Sequence, residues 1–269
     1  MTGTIQKLAL CFAALGLCAG VSVAHALDVS VPAQPHDDPF ISFRSGISAY
    51  KSGHTQEAVE SLRYAAELGH TGAKWKLARM YAEGDGVAEN DLEAYQFFLK
   101  IIEDGVAPGS QNESYVSDAL VALGNYTRTG IAGTSVKANP ARARSLYTQA
   151  ATTFANPEAQ YQLGRMLFEE GGDKRSRQQA ARWFKLAAEK GNPAAQAMFG
   201  NILFQRGKTV PGLAMMTAAM ERASAEEKAW IRPLQERAFA LSGEAERRTA
   251  ISLVADIMAN GGLHASRRK

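Results

Sequence analysis

The stretch Ala159-Gln-Tyr-Gln-Leu-Gly-Arg-Met166 decides the fold, together with Trp183-Phe-Lys-Leu-Ala-Ala-Glu-Lys-Gly191, which follows it after a glycine turn. The first half recurs as Ala73-Lys-Trp-Lys-Leu-Ala-Arg-Met-Tyr81, and the second half recurs as Leu62-Arg-Tyr-Ala-Ala-Glu-Leu-Gly69. Apolar and small residues return every three to four positions in these segments, which is typical of amphipathic helices. The sequence therefore predicts a chain of repeated helix pairs.

These helix pairs recur about four to five times. The small residues that lead the pattern, Ala78, Gly124, Gly164 and Gly200, are separated by 46, 40 and 36 residues, and the variation falls in the turns. A period of this length predicts an all-α, right-handed α-solenoid, in which each unit buries its apolar face only against its neighbours. The predicted repeat region covers residues 41–224, with units at about 43–70, 71–105, 113–155, 156–191 and, most weakly, 192–224.

Capping residues predict the helix boundaries. Asn139-Pro140, Asn156-Pro157 and Asn192-Pro193 each place an N-cap side chain before a proline at the first helical position, where the missing N–H costs nothing. A left-handed glycine often ends a helix. The glycines that stand at such predicted ends are Gly69, Gly105 and Gly191.

Beyond residue 224 the repeat fades, and residues 225–269 are predicted to form capping helices and a basic tail. The two predicted helices run from Ala225 to Leu241 and from Glu244 to Met258, with a break at Ser242-Gly243. A solenoid needs a terminal cap with one polar face, which Glu244-Ala-Glu-Arg-Arg248 supplies. The tail runs from His264 to Lys269.

The first 26 residues are predicted to be a secretory signal peptide. Lys7 provides the positive charge, Leu8 to Val23 the apolar segment, and Ala24-His-Ala26 the cleavage site. A retained membrane anchor is the competing interpretation, but the apolar run is short for a span of about 20 residues. Cleavage before Leu27 predicts an exported protein without membrane insertion, and residues 27–40 are predicted to form a flexible, proline-bearing lead.

Cysteine content and net charge argue against cysteine-based chemistry and against nucleic-acid binding. Cys11 and Cys18 both lie in the predicted signal peptide, so the mature chain would have no disulfide, thiolate metal site or cysteine nucleophile. The net charge of the whole chain is +3, which is too close to neutral to favour nucleic acid as a partner.

Catalytic motifs are weak. Ser48-Ala-Tyr-Lys51 has the serine–lysine spacing of penicillin-recognising enzymes, but the companion motifs of those enzymes are missing. Glu83-Gly-Asp-Gly86 lacks the remaining oxygen ligands of a calcium loop and is interpreted as a turn between helices. We expect a non-enzyme with no cofactor and no metal. A hydrolase that uses Ser48 and Lys51 is the enzymatic alternative.

The repeat itself has a recognisable pattern. It reads Ala-x-x-x-Leu-Gly-x-Met/Leu-Tyr, then Gly-x-Gly-Val, then Ala-x-x-Trp/Phe-x-x-Ala-Ala-x-x-Gly, and it resembles the Sel-one-like repeat, a relative of the tetratricopeptide repeat. The resemblance is strong at residues 73–105 and 160–191, fair at 43–69, and loose in the third and fifth units.

The whole arrangement resembles the ExoR family of periplasmic bacterial regulators. The residues that carry this are the lead Leu27-Asp-Val-Ser-Val-Pro32 and the segment Trp75-Lys-Leu-Ala-Arg-Met-Tyr-Ala-Glu-Gly-Asp-Gly-Val87. The resemblance implies a periplasmic protein that binds the sensing domain of a membrane histidine kinase and inhibits it. It also implies that exopolysaccharide synthesis stays repressed until a periplasmic protease degrades the regulator. The alternative is an envelope scaffold or adaptor for polysaccharide or protein-complex assembly.

In this repeat class the first helix of each unit lines the concave face, so the partner-binding residues are expected there. Arg79 and Arg165 occupy the same repeat position and are expected to make charge-paired contacts. The alternative is a solvated polar stripe. The full set of predicted partner-binding residues, which flank the Leu-Gly pair, is Lys76, Arg79, Asn125, Gln162, Arg165 and Asn201.

Three histidines, His36, His54 and His70, lie in the lead and the first repeat. Protonation between about pH 5 and 7 is predicted to loosen that end of the chain and to expose it to protease. The alternative is that His54 and His70 are solvent-exposed turn residues.

Overall fold

The structure is a computed structural model that describes residues 38–260. These residues form twelve α-helices and no strand, which confirms the all-α prediction. The predicted signal peptide, His36 and the basic tail lie outside the described residues. The helices are α1 Pro39–Lys51, α2 Thr55–Glu67, α3 Thr71–Glu83, α4 Asp91–Asp104, α5 Glu113–Thr129, α6 Pro140–Thr153, α7 Pro157–Glu170, α8 Lys174–Glu189, α9 Pro193–Gln205, α10 Thr209–Arg222, α11 Ala225–Leu241 and α12 Glu244–Asn260.

The first ten helices pack as five consecutive pairs. Each odd-numbered helix packs most extensively on the even-numbered helix that follows it, and the even-numbered helix then contacts the next pair. Each unit therefore buries its apolar face against its neighbours, as expected of a solenoid. Within the described part of the chain, no helix is long and apolar enough to cross a bilayer.

The predicted caps are present. The side chains of Asn139, Asn156 and Asn192 accept hydrogen bonds of 2.9, 3.0 and 2.8 Å from the backbone N–H three residues on. Each asparagine precedes a proline at the start of its helix. The predicted glycine ends are also confirmed, because Gly69, Gly105 and Gly191 have φ values of +92°, +68° and +84°.

Small residues let the two helices of a pair approach closely. A Cβ at Gly124 would collide with the ring of Tyr147, and a Cβ at Gly200 would lie 2.8 Å from the carbonyl oxygen of Gly212. Contacts under 3.0 Å cannot be accommodated without a shift, so these positions require glycine as long as the helices keep their spacing.

The last two helices begin where the sequence predicts, with Ser242 and Gly243 between them. They do not form a sixth pair, since α11 packs on α9 and α10, and α12 packs on α10. As a result α10 is covered on several sides, and the consecutive residues Leu213 to Met216 are all buried. A helix that is apolar all round is buried all round, which agrees with the sequence of α10.

Candidate partner-binding pocket

A pocket of about 260 Å³ lies where α3, α5 and the start of α7 meet, between first helices of successive units. We call it the α3–α5–α7 pocket. Its wall combines apolar, charged and amide side chains. It is lined by Trp75, Arg79, Phe98, Asp118, Val121, Ala122, Asn125, Asn156 and Glu158.

Arg79 stands at the rim of this pocket. Its side chain is 48% exposed and forms an ion pair with Glu83, one turn further along α3. Its guanidinium carbon lies 5.6 Å from the centroid of the Trp75 ring, within the range of a cation–π contact. Because an exposed ion pair of this kind contributes little to stability, Arg79 is available to a partner.

Asp118 lies in the same pocket without an ion-pair partner among the described residues. The carboxylate is accessible to solvent, but the surrounding side chains displace enough water to raise its pKa. Arg79 and the indole of Trp75 oppose this rise and do not cancel it. The Nε1 of Trp75 is buried and makes no hydrogen bond of acceptable geometry. The pocket therefore holds an indole N–H and a carboxylate that influence each other without forming a hydrogen bond of good geometry.

Asn125 is exposed at the other side of the pocket. Its Oδ1 accepts a hydrogen bond of 2.7 Å from the hydroxyl of Tyr147 in α6. Burial raises the pKa of Tyr147 to about 12, so this hydroxyl is a permanent donor at neutral pH. The Asn125 amide is held in place by the second helix of its own unit.

Gln162 is buried rather than exposed. It is 7% exposed, and its Nε2 donates a hydrogen bond of 2.7 Å to Oε1 of Glu158, while its own Oε1 has no partner. The other oxygen of Glu158 accepts a bond of 2.9 Å from Nδ2 of Asn192, which links the fourth unit to the fifth. Gln162 thus positions Glu158 and presents little surface of its own.

The remaining predicted residues lie away from the pocket. Nζ of Lys76 is 3.4 Å from Oδ2 of Asp85 and 3.4 Å from the centroid of the Tyr50 ring. Nε of Arg165 is 3.2 Å from Oε1 of Glu169, without hydrogen-bond geometry. Oδ1 of Asn201 is 3.5 Å from Nε2 of Gln205. The pocket brings together Arg79 and Asn125 only, and the role of all six residues in partner binding stays a prediction.

The carboxylates Asp118 and Glu158 were missed from the sequence, although a signal exists. Each precedes the leading glycine of its unit, Gly124 or Gly164, by six residues, so the two occupy equivalent repeat positions. Trp75 is only partly buried, and its indole lines the pocket.

The two described histidines differ. His54 is exposed near Glu57, as the alternative interpretation expects. His70 is partly buried, and its Nδ1 accepts a hydrogen bond of 3.1 Å from the backbone N–H of Ala73 at the start of α3. Its ring is stacked on Phe43, with centroids 4.2 Å apart. Burial lowers the pKa of His70, so the neutral form that this cap requires is favoured.

The two residues considered for catalysis lie at the surface. Ser48 and Lys51 are both exposed at the end of α1. Over residues 38–260, no group of three or more His, Cys, Asp or Glu side chains is placed to hold a metal ion.

The Sel1 repeat family model matches residues 72–106, 117–152 and 157–192. These matches are the second, third and fourth helix pairs, and they include the third unit, whose resemblance to the repeat is loose.

A crystal structure of a protective antigen with an SLR fold from uropathogenic Escherichia coli superposes with a TM-score of 0.64 at 24% identity, over 84% of this chain and 46% of the antigen. A Sel1 repeat protein from Oxalobacter formigenes superposes with a TM-score of 0.59 at 22% identity, over 82% of this chain and 88% of that protein. Both likenesses concern the fold.

Two relatives are similar along nearly the whole chain. The exopolysaccharide production negative regulator of Rhizobium meliloti (strain 1021) is 45% identical over 254 residues, which cover 93% of this chain and 95% of the relative. The protein of the same name from Rhizobium leguminosarum bv. viciae is 47% identical over 243 residues, 87% of this chain and 91% of the relative. The chain, built from Sel1 repeats, therefore belongs to the ExoR family of exopolysaccharide production negative regulators.

Proposed function

We propose that this chain is a periplasmic regulator that binds the sensing domain of a membrane histidine kinase and holds the kinase inactive. In this way it represses exopolysaccharide synthesis until proteolysis removes it. The negative regulatory role is supported by the names of the two relatives. The kinase, the protease and the compartment rest on the resemblance described above.

One observation carries the binding site in this proposal. The α3–α5–α7 pocket holds Asp118 without an ion-pair partner among the residues that the structure covers, and it holds the buried Nε1 of Trp75 without an acceptor. Buried polar groups in folded proteins are nearly always paired, so the unpaired indole N–H of Trp75, beside the exposed carboxylate of Asp118, supports a surface that a partner completes. Arg79 and Asn125 supply further polar contacts at its rim.

Calorimetry between this protein and the periplasmic domains of the host's membrane sensor kinases tests the proposal. We expect saturable binding to one kinase domain, weakened at least tenfold by Asp118→Asn and by Arg79→Gln. Glu83→Gln is the matched control, because it breaks the same ion pair as Arg79→Gln and leaves the arginine in place.

The outcomes separate the alternatives. If a kinase domain binds and neither Asp118→Asn nor Arg79→Gln weakens the binding, the regulatory function is supported but the interface lies outside the pocket. Absence of binding to every kinase domain, well above the micromolar concentrations typical of transient partners, would favour the envelope scaffold.

A further inference from the structure

The second helices of the first two units and those of the third and fourth units carry opposite net charges. α2 and α4 together hold seven carboxylates and two cations. α6 and α8 together hold seven cations and one carboxylate. The net charge of the whole chain, only +3, hides this separation because the opposite charges cancel in the sum.

Most of the positive charge lies on α8. Its five cations are exposed, and only Lys185 is near a carboxylate, with Nζ 3.6 Å from Oε1 of Glu189. The other four form no ion pair within residues 38–260. We call this surface the α8 ridge, and it consists of Lys174, Arg175, Arg177, Arg182 and Lys185.

The start of α8 adds to the positive potential. No acidic residue stands in its first turn, where the helix dipole favours negative charge, and Lys174 and Arg175 stand there instead. The nearby carboxylate of Asp173 is engaged as the N-cap, since it accepts hydrogen bonds of 2.7 and 2.9 Å from the backbone N–H groups of Arg175 and Ser176. The cap carboxylate keeps its negative charge and offsets part of the dipole, so the positive potential at this end comes from the side chains of Lys174 and Arg175.

An apolar side chain lies on the same stripe of α8 as two of the cations. Arg175, Arg182 and Leu186 are spaced by seven and four residues, which places them on one stripe of a helix. Leu186 is 42% exposed on this stripe. A cationic helix face with an exposed aliphatic side chain is typical of peripheral contact with a membrane surface.

We propose that the α8 ridge binds the anionic headgroups of a phospholipid surface. The arginine and lysine side chains contact the lipid phosphates, and Leu186 enters the headgroup layer. The carboxylates of α2 and α4 are repelled by the same surface, so the bound molecule is oriented with α8 toward the lipid. A soluble polyanion would match the cations equally well but would give Leu186 no role. The proposal is independent of the α3–α5–α7 pocket.

Co-sedimentation of the full chain with vesicles tests this inference. Vesicles of phosphatidylcholine with 30% phosphatidylglycerol are compared with vesicles of phosphatidylcholine alone, for the unmodified protein, Arg175→Glu/Arg182→Glu and Leu186→Ser. The matched control is Arg232→Glu/Arg237→Glu, which makes the same charge change at two exposed positions of α11. Any contribution of the apolar N-terminal segment is common to all variants and is measured on the neutral vesicles.

We expect the partition coefficient on anionic vesicles to exceed that on neutral vesicles at least tenfold, and 0.5 M NaCl to remove the difference. The partition coefficient on anionic vesicles should fall at least tenfold for Arg175→Glu/Arg182→Glu and about threefold for Leu186→Ser. It should fall less than twofold for the α11 control. Equal losses in the two double variants would overturn the proposal, because net charge alone would then explain binding. It would also be overturned by equal binding to both vesicles, or by α8-dependent binding to heparin without binding to vesicles.

Discussion

Gly164 and Phe184 are in such close contact that a Cβ at residue 164 would lie 2.7 Å from Cδ1 of the ring. The contact joins the first and second helices of the fourth unit and is repeated by Gly124 and Tyr147 in the third. In the third and fourth units, an aromatic ring of the second helix therefore packs directly on the glycine backbone of the first helix.

Gly164→Ala is expected to lower the free energy of unfolding by about 1 to 3 kcal/mol, because Phe184 is fully buried and must leave its rotamer or push the helices apart. Urea denaturation followed by circular dichroism measures this. Gly172→Ala is the control, since a Cβ there meets no atom within 4 Å. Equal stability of the two variants would contradict the role assigned to the contact.

Asn156 both caps α7 and bridges to the third unit. Its Oδ1 accepts from the N–H of Ala159, and its Nδ2 donates a hydrogen bond of 2.8 Å to Oγ of Ser117. Asn156→Ala should therefore cost about 2 kcal/mol, of which about 1 kcal/mol is the cap. Asn139→Ala, which removes a cap of the same kind, should cost about 1 kcal/mol. If thermal unfolding gives the same loss for both, the bridge to Ser117 contributes nothing.

Lys74 is a buried cation paired with Asp104 at the end of α4. Asp104→Ala leaves the buried ammonium without its carboxylate and should cost about 1 to 2 kcal/mol, since the carboxylate side is partly exposed to water. Lys74→Met, which replaces the cation by an apolar chain of similar length, should cost less. The reverse order in chemical denaturation would show that the buried charge is well solvated.

His70 should make stability depend on pH. Burial lowers its pKa in the folded state, so the unfolded chain binds the proton more readily. The contribution of His70 is fully present above the unfolded pKa of about 6.5 and is lost as the pH falls from there through the lowered folded pKa. Protonation of Nδ1 also removes the acceptor that caps α3.

His70→Asn keeps a capping acceptor that does not titrate, and it should reduce the loss of stability between pH 7.5 and 5.5. His54→Asn, at an exposed position, should behave like the unmodified protein. Denaturation midpoints at the two pH values decide the matter. An unchanged pH dependence in His70→Asn would remove His70 as a sensor.

Much of the repeat could be predicted because its signals are local. The dipeptide Asn156-Pro157 is enough to predict the start of a helix, and Gly191 is enough to predict the end of one. Gly124 and Gly164 recur at the same repeat position, and each contacts the second helix of its own unit because that helix packs back along the first after a short turn.

The contacts between different units could not be predicted from the sequence. Asp118 belongs to the third unit and Trp75 to the second, and no pattern within one unit tells which side chain of a neighbour a residue will meet. The same holds for α12, whose sequence is equally compatible with packing on α11 or on α10. The apolar run Gly212 to Met220 in α10 was the available sign that a further helix covers it.

The position of α12 limits how this array can change in length. Tandem repeat genes grow and shrink by duplication or loss of whole units, and a unit added after α10 would have to displace α12 from the surface it occupies. Units added before α9 face no such obstacle. Relatives with more helix pairs should therefore carry the extra pairs before α9 and keep the last four helices together.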